Sequence, residues 1–244
     1  MVKQMIAGTF RQTNLPNESD DYLAKREEVR LAEIELRKAR ERVAELRRAL
    51  PTGAEVQDYE FLEGPAALTA GDEPVTSVRL SELFTAPDRS LVIYHLMFGK
   101  KQTTPCPMCT AWIDGYNGVA HHLAQMTDFA IVAAADPAAL RTYARARGWD
   151  RLRLLSAGDN TFKYDLGSED RAGEQDSTIS VFTKESDGTL RHFYSGHPWL
   201  GEGLRERGID EMSPIWNVLD LTPRGRGKFY TSLDYGTKVQ IARP

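Results

Sequence analysis

The chain has two cysteines, three positions apart in Cys106-Pro107-Met108-Cys109. A CxxC spacing closes a small disulfide ring, and such thiols exchange with other disulfides when one is held as the thiolate. If Cys106 caps a helix, Pro107 falls at the first helical position, where its missing N–H leaves nothing unpaired. Cys106 then faces the N–H groups of Met108 and Cys109 at the positive helix end. Both effects favour the anion. Cys106 is therefore read as the nucleophile, and Cys109, one turn deeper, as the resolving thiol. Thiols so placed ionise as low as ~3.5 instead of about 8.5. Lys100 and Lys101, in the loop before them, either add positive potential or are simply solvated.

The residue types bear on other readings of the pair. A zinc site needs two further ligands. Among His95, His121, His122, His192 and His197, only His192 and His197 stand at H-x4-H, roughly eighty residues from the cysteines. That is not the spacing of a zinc finger, so no metal ligand set and no cofactor is read. Two inert core cysteines would not call for a proline between them after a buried strand. His95, beside Tyr94, is either a hydrogen-bonded core residue or a group that tunes Cys106. Trp112 packs on the sheet and lines the site. Asp114 is either a solvated helix acid or a carboxylate for proton transfer to the thiols.

These residues need a strand, a loop and a helix to position them. Ser90–Phe98 reads as a buried strand and Gly99–Pro105 as the loop delivering Cys106. The pattern turns helical from Cys106 to about Met126, with the next buried strand at Asp128–Ala135. Pro137–Arg147 is a helix stopped by Gly148, and Arg151–Ser156 a short strand. Asn160–Leu166 reads as irregular. Thr178–Thr183 and Leu190–Tyr194 flank Asp187-Gly188 as a hairpin, and Glu211–Leu219 is a last helix. Earlier, Asp58–Phe61 and Val75–Leu80 are short strands, the latter leading into a helical turn at Ser81–Phe84. Alternating strands and helices predict an α/β fold, with a thioredoxin-like parallel central sheet flanked by helices on both faces. The cysteines then lie at the carboxyl edge of a central strand, where open sheets place their sites.

A charged helical arm precedes this body. Tyr22, Val29, Leu36, Val43 and Leu50 recur every seventh residue, with Ala32, Ala39 and Leu46 between, and Pro51 and Gly53 stop the run. The seam of about three heptads is either a stripe laid on its own domain or a coiled-coil dimer arm. The organisation is thus residues 1–54 as arm, 55–222 as thioredoxin-like body and 223–244 as tail. A net charge of −4 excludes an argument for nucleic acid or anionic membrane as partner. No apolar run is long enough to span a bilayer, and the first sixteen residues lack the apolar core of a secretory signal. A cytoplasmic location is expected, where CxxC reads as redox-active.

Several motifs together resemble the bacterial family called domain of unknown function 899, a thioredoxin-like group expected to be dithiol–disulfide oxidoreductases. They include DYEFLEGP at Asp58–Pro65, the YHxMFG pattern at Tyr94–Gly99, CPMCTAWIDG at Cys106–Gly115, FKYDLG at Phe162–Gly167, ISVF at Ile179–Phe182 and LDLTPRGR at Leu219–Arg226. The resemblance implies the thioredoxin-like fold and implicates Cys106 and Cys109, without naming a substrate. It also exposes a departure. Thioredoxins keep a cis-proline opposite the CxxC, whereas Ser177-Thr178-Ile179 stands here, which places Thr178 facing Cys106. Three functions follow. One is a thiol–disulfide oxidoreductase whose partner is a protein thiol or disulfide, or a small thiol. Another is a peroxiredoxin-like peroxidase, suggested by Thr103 three before Cys106; no arginine immediately precedes the Thr178 strand, Arg171 being nearest. The last is a non-catalytic dimeric binding module.

Overall fold

The structure, a computed structural model, describes residues 15–158, 160–204 and 207–235. The chain divides after Pro51 into two units. The boundary falls before residue 54 because Ala54 already belongs to the body, its carbonyl accepting the His192 N–H at 2.9 Å.

The first unit is one long helix, α1 (Asp20–Arg48). Ser19 caps it, its hydroxyl accepting the Tyr22 N–H at 3.2 Å. It stops two residues short of Leu50, ahead of Pro51, which biases its predecessor away from helix. No residue of α1 is buried, and Val29, Leu36, Val43 and Leu46 stand exposed.

The body carries a seven-stranded sheet. Its strands are β1 (Glu60–Glu63), β2 (Thr76–Arg79), β3 (Leu91–His95), β4 (Asp128–Ala133), β5 (Arg153–Ser156), β6 (Thr178–Lys184) and β7 (Leu190–Gly196). The helices are α2 (Pro107–Leu123), α3 (Pro137–Arg147), α4 (Phe162–Asp165) and α5 (Pro214–Leu219). Spatial order is β2-β1-β5-β4-β3-β6-β7. Strands β3, β4 and β5 are parallel, and β6 and β7 continue antiparallel on the other side of β3. A parallel unit with the CxxC helix after its first strand, and an antiparallel hairpin beside that strand, is the thioredoxin-like arrangement expected from sequence.

The two layers are unequal. One apolar cluster holds Tyr94, Ile131 and Ile179 from the sheet and Leu96 just after β3, with Trp112 of α2, Leu140 of α3 and Trp216 of α5. These three helices therefore share one face. The chain steps β3, β4, β5 in one direction across the sheet, and right-handed crossovers then fall on the same side. The other face is covered by a 3-10 turn at Leu80–Leu83 and by Phe162 of α4. Helix α4 replaces the irregular segment expected at 160–166. The last helix starts only at Pro214, because proline breaks the run from Glu211 and Ser213 caps the new start.

Residues 223–235, the described part of the segment expected as a tail, pack onto the body. Thr231 Oγ1 donates to the Met108 sulfur at 3.6 Å, Phe229 meets Trp216 edge-on, and Tyr235 accepts from Arg147. Among the described residues, no helix is long and apolar enough to cross a membrane.

Candidate active site

Strand β3 ends at the sheet's carboxyl edge, and the chain turns at Gly99 with φ +100°. A Cβ there would lie 2.1 Å from the Ala135 nitrogen, so only glycine lets the loop pass. The Cys106 N–H then bonds back to the Met97 carbonyl at 3.1 Å, which fixes the head of α2 beside β3. Cys106 is the N-cap of α2 and Pro107 its first residue. Of the two amides expected to face the sulfur, that of Cys109 does, at 3.4 Å. The Cys106 carbonyl accepts from the N–H and the hydroxyl of Thr110, so the first turn is tied from both ends.

The two thiols differ in access. Cys106 is 8% exposed and lines a cavity of about 120 Å³, whereas Cys109 is wholly buried. Met97, Met108, Pro198, Trp199 and Tyr230 form the apolar part of the cavity wall, and Asp176, Ser177 and His197 the polar part. The Trp199 N–H donates to His197 Nδ1 at 3.0 Å, so His197 Nε2–H donates to Asp176 at 2.9 Å. Burial pushes the Cys109 thiol well above its ordinary value, and the adjacent Cys106 pushes it further. A backbone hydrogen bond from Met97 and the Tyr94 hydroxyl oppose this. Burial, then Cys109, likewise raise Tyr94 and Tyr116.

The remaining residues singled out from sequence separate into those at the cavity and those elsewhere. Met108 lines it and Pro107 sets the helix start. Thr103 is exposed in the loop and is not part of the cavity wall. Thr178 is the register partner of His95, while its neighbour Ile179 points into the cysteine cluster. Alternation along β6 thus turns Thr178 from the cysteines, and Asp176 and Ser177 line the cavity in its place. His95 also faces away, stacked on Phe162 with Nδ1 on the Ser168 hydroxyl at 2.6 Å. Trp112 is buried in a stack on Trp216, 5.0 Å between rings. Asp114 is no proton carrier for the thiols: it pairs with Arg147 and accepts the Trp149 indole N–H at 2.7 Å. Lys100 and Lys101 are ion-paired with Glu169 and Glu174. His192 bonds Ser195, and His197 turns instead to the cavity.

Asp176, Ser177, His197, Trp199, Tyr230 and the buried Lys163 were not singled out as site residues by sequence reasoning. Of these, Ser177 stands in the tract Ser177-Thr178-Ile179 expected opposite the CxxC, and His197 among the histidines considered as metal ligands.

Sheet order and CxxC position together define the class: a thioredoxin-like domain with a dithiol at the head of its first crossover helix. Over residues 12–239 the chain matches the model of the family described as bacterial protein of unknown function (DUF899), and it belongs to that family. No curated protein matches the sequence. Among solved structures, it is similar to reduced Prx3 of Vibrio vulnificus in complex with H2O2, at 19% identity and TM-score 0.44, over 66% of this chain and 93% of that one. It is also similar to the Plasmodium falciparum antioxidant protein, a 1-Cys peroxiredoxin, at 12% identity and TM-score 0.47, over 69% and 99%. A putative thioredoxin reductase from Burkholderia cenocepacia follows at 18% and 0.42, over 59% and 87%.

Proposed function

We propose that this protein is a thiol–disulfide oxidoreductase in which Cys106 attacks and Cys109 resolves. The observation that carries this reading is the graded access of the pair. Cys106 caps α2 and borders a cavity, with the Cys109 N–H on its sulfur, while Cys109 lies sealed one turn behind. The Cys106 thiolate attacks a substrate disulfide and expels one substrate thiolate, leaving a mixed disulfide. Cys109 then attacks the Cys106 sulfur, closes the ring and releases the second substrate thiol. The partner is a disulfide of a small thiol or an extended protein loop, since the cavity admits little more than one side chain at the sulfur. A reducing, cytosolic setting suits this exchange.

The cavity supports the dithiol reading over a peroxidase one. Among the described residues, no lysine or arginine lines it to polarise a peroxide, and Arg171 instead bonds the Tyr164 hydroxyl. We also propose a homodimer through α1, whose seam residues Val29, Leu36, Val43 and Leu46 are exposed along a 29-residue helix.

The test is trapping. Incubated with a mixed aromatic disulfide, the Cys109→Ser protein is expected to accumulate a stable adduct on Cys106, and the wild type to release it and form the internal disulfide. A wild-type protein that never forms the internal disulfide sinks the proposal.

A further inference from the structure

A charge that this exchange reaction does not use stands at the end of the strand that leads to the two sulfurs. Lys163, on α4, is 1% exposed. Its Nζ donates to the Leu96 carbonyl at 3.0 Å. Leu96 directly follows β3, and the next carbonyl, that of Met97, holds the Cys106 N–H. Leu96 packs in one cluster with Cys106 and Cys109. The lysine thus reaches from the opposite face of the sheet, where Phe162 is packed, to the edge that carries the dithiol.

An ammonium out of water is expensive unless an anion faces it. Among the described residues, no carboxylate lies within ion-pair distance of Lys163. Glu169 and Asp176, on the segment between α4 and β6, favour the ammonium at longer range, but Glu169 pairs through Oε1 with Lys100, and Asp176 pairs with His197. Lys100, from the loop after β3, opposes the charge, and His95 of β3 is itself kept neutral by burial and by Lys163. The group that most favours the Lys163 ammonium is Cys109 of α2. A leucine or methionine would fill this site without the desolvation penalty. The charge therefore needs a role at a moment when an anion is present.

We infer that Lys163 is the positioning cation of the resolving thiol: it stabilises the Cys109 thiolate when Cys109 attacks the mixed disulfide on Cys106. This rests on the exchange reaction proposed above. In the step, the Cys109 proton passes to solvent, a Cys109–Cys106 S–S bond forms and the Cys106–substrate S–S bond breaks. The electron pair leaves on the substrate sulfur as thiolate. The enzyme dithiol is oxidised and the substrate disulfide reduced, while at neutral pH Lys163 keeps its proton throughout.

The experiment uses the full-length dithiol protein and an aromatic disulfide whose released thiolate absorbs visible light. Attack by Cys106 releases the first equivalent, and resolution by Cys109 the second. Lys163→Met and Lys163→Gln are made in parallel, so that either folded variant carries the test. Each is expected to slow the second release about tenfold at neutral pH and to move its pH midpoint up by about one unit. The first release is expected to be unchanged. Lys163→Arg, which keeps the cation, is expected to restore the second release and its midpoint. If the wild type gives no second release, the exchange reading itself fails. If it does, and the variants match it in second-release rate and midpoint, Lys163 has no such role and the exchange reading stands.

Discussion

Replacing Lys163 by methionine is expected to change stability in a way that depends on pH, and the direction follows from burial. In the fold, Lys163 ionises at about 8, against 10.5 for an ordinary lysine, with burial as the main cause. The folded value lies below the unfolded one. Below about pH 8 both states hold the proton, and the fold bears the whole penalty of a buried cation. Between about 8 and 10.5 the folded protein sheds its proton first, so the unfolded state binds more protons and stability rises with pH. The difference of about two and a half units corresponds to about 3 kcal/mol. Methionine does not titrate and is nearly the same length. Losing the Nζ bond leaves the Leu96 carbonyl unpaired, at a cost of about 1–3 kcal/mol, but that cost does not vary with pH. Urea unfolding of Lys163→Met against its parent, both with the two thiols intact and reduced so that Cys109 titrates in each, isolates the effect. At neutral pH the two are expected to differ by no more than about 2 kcal/mol, in favour of methionine. Between about pH 8 and 10.5 the parent is expected to gain about 3 kcal/mol on the variant. A difference that stays flat across that window would refute the burial reasoning, whatever its size.

Three further outcomes are expected. Burial holds the His95 imidazole well below its ordinary value, so the unfolded chain takes up a proton first as pH falls below about 6.5. Stability is then lost at about 1.4 kcal/mol per pH unit, and His95→Gln should flatten that acid limb in denaturation curves; an unchanged limb excludes His95 as its source. Trp112→Ala should remove about 3–5 kcal/mol by chemical denaturation, whereas Trp112→Phe should be nearly neutral. It gives up a stack on Trp216 worth about 1 kcal/mol but removes a buried indole N–H that has no partner among the described residues. Loss of thiol exchange in a Trp112→Phe protein of normal stability would contradict a packing role. Deleting residues 1–51 should take the mass measured by light scattering from that of two full chains to that of one shortened chain, and a single-chain mass for each protein rules out the α1 dimer.

Much of the frame was legible because its signals are local. Pro107 one residue after Cys106 marks a helix start, and the structure caps α2 there. The runs around Tyr94 and Ile131 alternate between two apolar clusters, as strands buried on both faces must. Asp187-Gly188 closes the hairpin, with Gly188 at φ +92°. The rest is illegible where periodicity is short or register matters. Four residues of α4 are too few for a helical period to emerge, so the element that carries Lys163 read as irregular. A shift of one along β6 separates Thr178, opposite His95, from Ser177 at the cavity, and residue type cannot settle which faces the sulfur.

What the sequence determined by itself is the dithiol at the head of a helix after a buried strand, because proline, cysteine spacing and apolar alternation act within a few residues of one another. What only the tertiary structure decided is the company the sulfurs keep. Asp176, His197 and Tyr230 come to the cavity wall, and Lys163 to the Leu96 carbonyl, from distant points in the chain. They meet because β6 pairs beside β3 and the crossover helices share one face, an arrangement set by sheet order and packing that no single stretch of residues encodes.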